Sequence, residues 1–249
     1  MSISPIIRCE KAVAHIEGFR YEGTPLDFNA YAGEIINLIG PDYSGKSAWI
    51  RMISGKEFPY SGDVSIFGKN LFSYNRADWI HLRTNAAYIE TDTALLSAAN
   101  AMQNVLIPAL YHAKEKATDA IERAKRLISE IAPDTNPSVL PALLRKDQRY
   151  KIAVARALIL QPQAIILDSP FDLLDVATAT KFKSFLLNYS KENNVLIIVV
   201  SHDIQFALQH SDKILFVSKN HIEQFDSADD LRASNNANIN EFLKTNLTT

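Results

Sequence analysis

An apolar run that ends in Gly40-Pro41-Asp42-Tyr43-Ser44-Gly45-Lys46-Ser47 and passes straight into a helix is the feature that most limits what this chain can fold into. Glu34 to Ile39 reads as a buried strand entering a turn, and residues 46 to 54 carry apolar side chains at helical spacing. The octapeptide fits G-x-x-x-x-G-K-[ST], and the strand before it and helix after it are the context that gives the match meaning. Backbone N–H groups of such a loop cradle phosphates, and the helix N-terminus adds a positive dipole end. Lys46 would reach the β- and γ-phosphates, and Ser47 would hold Mg²⁺. An ordinary strand–turn–helix is the alternative.

Glycine occurs only 8 times in 249 residues, about half the usual frequency of roughly 7%. Phosphate-binding loops depend on glycine for close backbone approach, so its scarcity is a warning. The formal charge of −2 gives no electrostatic reason to expect nucleic acid or an anionic membrane as a direct ligand. No apolar run approaches the ~20 residues of a membrane span. The N-terminus lacks the apolar core of a signal peptide. Cys9 is the single cysteine, which excludes an internal disulfide and a multi-cysteine metal site. A cytosolic protein is expected, attached to a membrane through a partner if at all.

Ser61-Gly62 to Gly68 brackets a short strand, and 86 to 89 form another. From about 97 to 131 the pattern is helical, broken by Asn136, Pro137 and Pro141; Gln148 to Leu160 is a second strong helix. Ala164 to Leu167, Val195 to Val200 and Ile214 to Val217 are short apolar strands between helical stretches. The alternation predicts an α/β fold with a mostly parallel sheet. The helical block interrupts it and predicts an inserted helical subdomain.

Asp168 ends the strand AIILD, at the sheet edge of the loop, where it can bind Mg²⁺ through water; helix-capping aspartates also occupy such positions. His202 ends VLIIVVSHD at the same edge and is either structural or functional. Taken with GEIINLIGPDYSGKS, SGDVSIFG and IAVARALILQPQAIILDSPFDLLD, in that order and spacing, the chain resembles ATP-binding-cassette (ABC) ATPase subunits over about 6 to 226. SPFDLLD, VVSHDIQFALQHSD and the tail DSADDLRASNNANINEFLK look most like the Mla-type phospholipid-transport ATPases. The resemblance implies a P-loop NTPase with a RecA-like core, an antiparallel β region and an inserted helical subdomain. It implies an ABC nucleotide-binding domain over 1–226, with the helical subdomain at about 92–148, and a C-terminal extension over 227–249. ATP and Mg²⁺ are the implied cofactors, with Ser47 and Asp168 on the metal, His202 in catalysis, and Tyr21 (or Phe19) stacked on adenine.

The departures from the family pattern are as informative. Tyr43 stands at a usual glycine, where it restricts backbone torsions and can crowd the nucleotide. Asp42 adds charge beside a triphosphate. The general-base glutamate falls on Ser169, too short and too weakly basic to take a proton near pH ~7. The Q-loop glutamine falls on Thr91. The LSGGQ signature falls on Leu144-Arg145-Lys146-Asp147-Gln148, with Asp147 placed to cap a helix starting near Gln148; Arg145 and Lys146 either rebuild a phosphate site or are merely solvated.

Family cassettes work as head-to-tail dimers beneath a permease, so the resemblance implies a second cassette, identical or different. It also implies an integral-membrane permease gripped by residues near 91 to 112, and MCE-type and STAS-type lipid-system subunits. The place implied is the cytoplasmic face of a bacterial inner membrane. The tail is expected to pack on the neighbouring cassette through Phe242 and Leu243. Two functions are open: a degenerate, structural or regulatory subunit of a lipid transporter with weak or lost ATP binding, or an active or slow ATPase with an intact partner cassette.

Overall fold

The computed structural model describes residues 4–15, 24–92, 94–112, 116–219 and 221–247. In chain order the elements are β1 (Ile7–Val13), β2 (Leu26–Ala30), β3 (Ile35–Ile39), α1 (Lys46–Ile53), β4 (Ser61–Ile66), β5 (Lys69–Asn70), α2 (Arg76–Asn85), β6 (Ala86–Ile89), α3 (Ala101–His112), α4 (Ala117–Ile131), α5 (Lys146–Leu158), β7 (Ala164–Asp168), α6 (Val176–Asn193), β8 (Leu196–Val200), α7 (Ile204–His210), β9 (Lys213–Ser218), β10 (His221–Phe225), α8 (Ala228–Arg232) and α9 (Ala237–Leu247). The chain divides into two compact units: Met1–Tyr88 with Gln163–Ser169 and Tyr189–Thr249, and Ile89–Pro162 with Pro170–Asn188.

The first unit holds two sheets, ordered β2-β1-β4-β5 and β10-β9-β3-β8-β7-β6. The first is antiparallel; in the second β9, β3, β8 and β7 run parallel, and β10 turns back against β9. β3, β7 and β8 are buried along nearly their whole length, as strands covered on both faces must be. α1 is apolar on several sides, with Trp49, Ile50, Met52 and Ile53 inaccessible, because its core cluster draws residues from both sheets.

The second unit is built on α3, α4 and α5, each packed against the other two. α4 buries a stripe of Ala120, Ala124, Leu127, Ile128 and Ile131, the spacing of one helix face. The helical pattern at 97 to 131 therefore resolves into two helices. Asn104, fully buried on α3, donates to the carbonyls of Leu96, Ala99 and Asn100 and accepts from the Leu96 N–H, which pins the segment ahead of α3.

The tail departs from the sequence expectation. Ile239, Phe242 and Leu243 line one face of α9 and pack with Ile204, Ala207, Leu208 and Phe216 of their own cassette. The Phe216 and Phe242 rings lie 5.4 Å apart, edge to face. An amphipathic stripe buries itself on the nearest apolar surface, and α7 with β9 supplies one within the chain.

Candidate functional site

The loop between β3 and α1 is held in an unusual backbone path. Gly40 has φ 146°, and a Cβ there would lie 2.0 Å from the Val217 carbonyl oxygen, so no other residue fits without moving β9. Tyr43 takes φ 57°, a left-handed conformation that costs a non-glycine residue ~1 kcal/mol. Its ring is wholly exposed. Gly45, at φ 97°, is the N-cap of α1 and carries no side-chain cap, which leaves the first helical N–H groups available to an anion.

Lys46 is buried, and its ammonium donates to the carbonyls of Gly40 (2.8 Å) and Pro41 (2.7 Å). The Ser44 hydroxyl is buried with no hydrogen-bond partner. A buried orphan hydroxyl at Ser44, an uncapped helix start at Gly45 and a buried ammonium at Lys46 follow one another in the loop, and this set fits a phosphate chain.

Asp168, Ser169 and His202 stand at the carboxyl ends of β7 and β8, the same sheet edge as the loop after β3. Asp168 pairs with Val200 across the sheet, and the Ser169 N–H donates to the Val200 carbonyl at 3.0 Å. α1, which carries Ser47 in its first turn, packs on β7, so the two candidate metal ligands belong to touching elements. Ser169 is left-handed (φ 51°), and its hydroxyl reaches the Asp168 carboxylate at 3.3 Å. His202 Nδ1 lies 3.4 Å from Asp42 Oδ1, so the loop's added carboxylate meets the histidine. Tyr21 and Phe19 lie outside the described residues.

Thr91 belongs to the second unit, where it lines a cleft of about 610 Å³ with Asp92, Leu95, Pro141, Lys146 and Arg149. The segment around Arg145 to Lys151 carries an ion network. α5 starts at Lys146, with Arg145 as its extended N-cap residue, so Asp147 is inside the first turn rather than capping. The cap contact comes from the opposite direction: Gln148 Oε1 accepts from the Arg145 N–H at 3.1 Å. Asp147 instead accepts from Arg145 Nε at 3.0 Å and lies 3.3 Å from the Lys151 ammonium.

Asp134, from beyond α4, completes the network at 2.6 Å from the Arg145 guanidinium and 2.7 Å from Lys151. Lys151 is buried, so these carboxylates neutralise a charge that could not otherwise stay there. Partial burial opposes ionisation of Asp134, but Lys151 and Arg145 outweigh it and hold its carboxyl at about 2. Burial likewise raises Asp147, and Arg145 and Lys151 reverse the sign, leaving it lowered. Sequence reasoning missed Asp134 and Lys151. The i,i+4 spacing of Asp147 and Lys151 is a readable signal; Asp134, at 17 residues from Lys151, leaves none.

Among the described residues no helix is long and apolar enough to cross a membrane, and no cluster of three or more His, Cys, Asp or Glu could hold a metal alone. The family model described as "ABC transporter" matches residues 24–172. A sulfate/thiosulfate import ATP-binding protein of Rhodopseudomonas palustris is 30% identical over 209 residues, 83% of this chain and 59% of its own length. Its counterpart in Bradyrhizobium diazoefficiens is covered over 58%, so the chain spans about three fifths of these relatives. A lipoprotein-releasing system ATP-binding protein of Rhodopirellula baltica is 30% identical over 186 residues, 74% of this chain and 81% of its length. Among solved structures, an ATP-binding subunit of an ABC transporter superposes with TM-score 0.81 at 20% identity, covering 97% of this chain and 99% of that one. The cbiO1 component of a Clostridium perfringens ABC transporter complex gives 0.78 at 21% identity, covering 98% and 96%. At such identities the likeness shows the fold alone.

Proposed function

This chain belongs to the ABC transporter family, and we propose that it is the nucleotide-binding subunit of a membrane transport complex, degenerate in catalysis and structural or regulatory in role. The observation that carries the reading is Ser169. At the end of β7, where family members place the glutamate that activates water, a serine hydroxyl reaches only toward the Asp168 carboxylate. It can neither hold a proton from water near neutral pH nor reach as far as a glutamate. Loss of such a base lowers a rate by ~10²- to 10⁴-fold.

Gly40 to Ser47 would hold the phosphates of ATP, with Lys46 on the β- and γ-phosphates, and Ser47 and Asp168 would hold Mg²⁺. The bound group would supply a polarised terminal phosphoryl. Toward it this chain offers the Lys46 charge and the helix N-terminus, set against Asp42 and the left-handed Tyr43. Binding weaker than in an intact cassette follows. The partner surface is in the second unit: the cleft at Thr91, and the exposed Ile107, Leu110 and Tyr111 of α3, suit an amphipathic helix of a permease. The Mla-like tail and strand-end phrases support a phospholipid as cargo, MCE- and STAS-type companions, and a place at the inner-membrane face.

A second reading, an active or slow ATPase using an intact partner's glutamate, is favoured by the buried Lys46 and the orphan Ser44 hydroxyl, which a wholly disused site need not keep. Phosphate release by the purified chain separates the two. We expect turnover near background, and Ser169→Glu alone should restore little, because the Arg145–Asp147 segment remains unchanged. Robust hydrolysis by the unmodified chain would overturn the degenerate reading.

A further inference from the structure

Positive charge and exposed apolar surface gather on one face of the first unit, around α2. Arg76, Trp79, Ile80 and Arg83 recur at the i, i+3, i+4, i+7 spacing of a single helix face. Both arginines are exposed, and Ile80 is 47% exposed. The Arg83 guanidinium lies 6.0 Å from the Trp79 ring. Beside this face Phe58 and Phe72, 48% and 62% exposed, stack with ring centres 5.1 Å apart, and Phe58 meets Trp79 edge to face at 6.0 Å. The rings form one exposed aromatic cluster, with an arginine about one turn to either side of Trp79 along the helix. Such a patch gains little within the chain from standing in water. The carboxylates of the same stretch are already engaged: Glu57 by Arg51, Asp63 by Asn70 and Asp78 by Lys69. Among the described residues neither Arg76 nor Arg83 has a carboxylate partner. Arg76 opens α2, where the helix dipole disfavours a cation, so the helix itself gives no reason for it.

We propose that this face docks directly on an anionic phospholipid bilayer, with Phe58, Phe72, Trp79 and Ile80 entering the boundary between headgroups and acyl chains and Arg76 and Arg83 meeting the lipid phosphates. The chemistry of the face selects this occupant. Tryptophan and phenylalanine beside arginine settle at a membrane interface, where the rings lose water and the guanidiniums keep it. Each uncompensated arginine adds attraction to an anionic leaflet, felt within a Debye length of about 8–10 Å. A single-stranded nucleic acid would need a track of cations along its backbone, which two arginines do not make, and would find no use for the aliphatic Ile80. The whole-chain charge of −2 conceals the local surplus: residues 51–83 carry Arg51, Lys56, Lys69, Arg76 and Arg83 against Glu57, Asp63 and Asp78. The contact is with lipid rather than with a permease, and it does not depend on nucleotide. A patch of this kind gives reversible attachment, in a chain in which no described helix is long and apolar enough to cross a membrane.

Flotation of the purified full chain with lipid vesicles tests it, using phosphatidylcholine alone and phosphatidylcholine mixed with phosphatidylglycerol. Binding is expected to the mixed vesicles and should fade as salt is raised. Arg76→Gln and Arg83→Gln should each lower it roughly fivefold, and Phe72→Ala roughly tenfold. Fluorescence supplies a second readout: of the two tryptophans Trp49 is inaccessible, so a blue shift on adding vesicles reports Trp79. If Phe72→Ala fails to fold, the two arginine substitutions, on exposed side chains, still decide. No binding, equal binding to neutral and anionic vesicles, binding indifferent to the substitutions, or binding without a Trp79 shift would overturn the proposal. A Phe72-dependent dimer that ignores vesicles would overturn it too and assign the face to a second copy. A Trp79 shift with a purified permease in detergent, but not with vesicles, would overturn it in favour of a protein partner. None of these outcomes bears on the nucleotide-binding reading.

Discussion

Replacing Asp134 with alanine should weaken the ion network at the start of α5. The substitution removes the nearer of two carboxylates from Lys151, whose side chain is only 4% exposed, and leaves Asp147 at 3.3 Å. The lowering of the Asp134 carboxyl from 3.8 to about 2 corresponds to roughly 2 kcal/mol. Solvent screening of a side chain 42% exposed reduces that to about 1 kcal/mol. Asp134→Ala should therefore cost about 1 kcal/mol near neutral pH, whereas Lys151→Met, which removes the buried charge itself, should cost less.

The pH dependence has a defined sign. Asp134 has a depressed folded pKa, so its stabilisation is present above the ordinary 3.8 and is lost as pH falls toward about 2. Urea titrations followed by circular dichroism, repeated across that window, should show wild type and Asp134→Ala converging as the pH drops. A constant gap, or a Lys151→Met variant less stable than Asp134→Ala, would refute the reasoning.

Two further outcomes are expected. Tyr43→Gly should strengthen Mg-ATP binding in calorimetry by removing a bulky side chain from the loop that would hold the phosphates, and Lys46→Ala should weaken binding less than it does in an intact cassette; tight binding by the unmodified chain, abolished by Lys46→Ala, would count against this. Deleting 236–249 strips Ile239, Phe242 and Leu243 from their cluster, and at about 1.5 kcal/mol or more per apolar side chain the melting temperature should fall by many degrees; an unchanged melting temperature would contradict the packing.

What the sequence disclosed was local. The β3–loop–α1 unit, the strand ends at Asp168 and His202, and the core strands could be read because each is one continuous pattern of apolar residues closed by a turn. β1 and β2 were passed over although IRCEKAV and LDFNA alternate, since such short half-polar runs resemble any surface segment. α2 was missed too, with its reciprocal Asn75–Asp78 cap as the available signal. The start of α5 was misplaced because Asp147 looks like a cap in the sequence, whereas in space it is drawn to Arg145 and Lys151. The tail was misassigned because a helix stripe states that it will be buried but not against what. Asp134 was invisible for the opposite reason: its role exists only once α4 and α5 lie together.

The packing of α9 has a mechanical corollary. α7 begins two residues after His202, is capped by the Asp203 carboxylate on the Phe206 N–H, and rests through Ile204, Ala207 and Leu208 against Ile239 and Leu243. The last helix is therefore a strut behind the histidine. A ligand, proteolytic cut or neighbouring subunit that pulls α9 away would loosen the floor under α7 and let the imidazole drift from Asp42. The end of the chain would then adjust the histidine from behind.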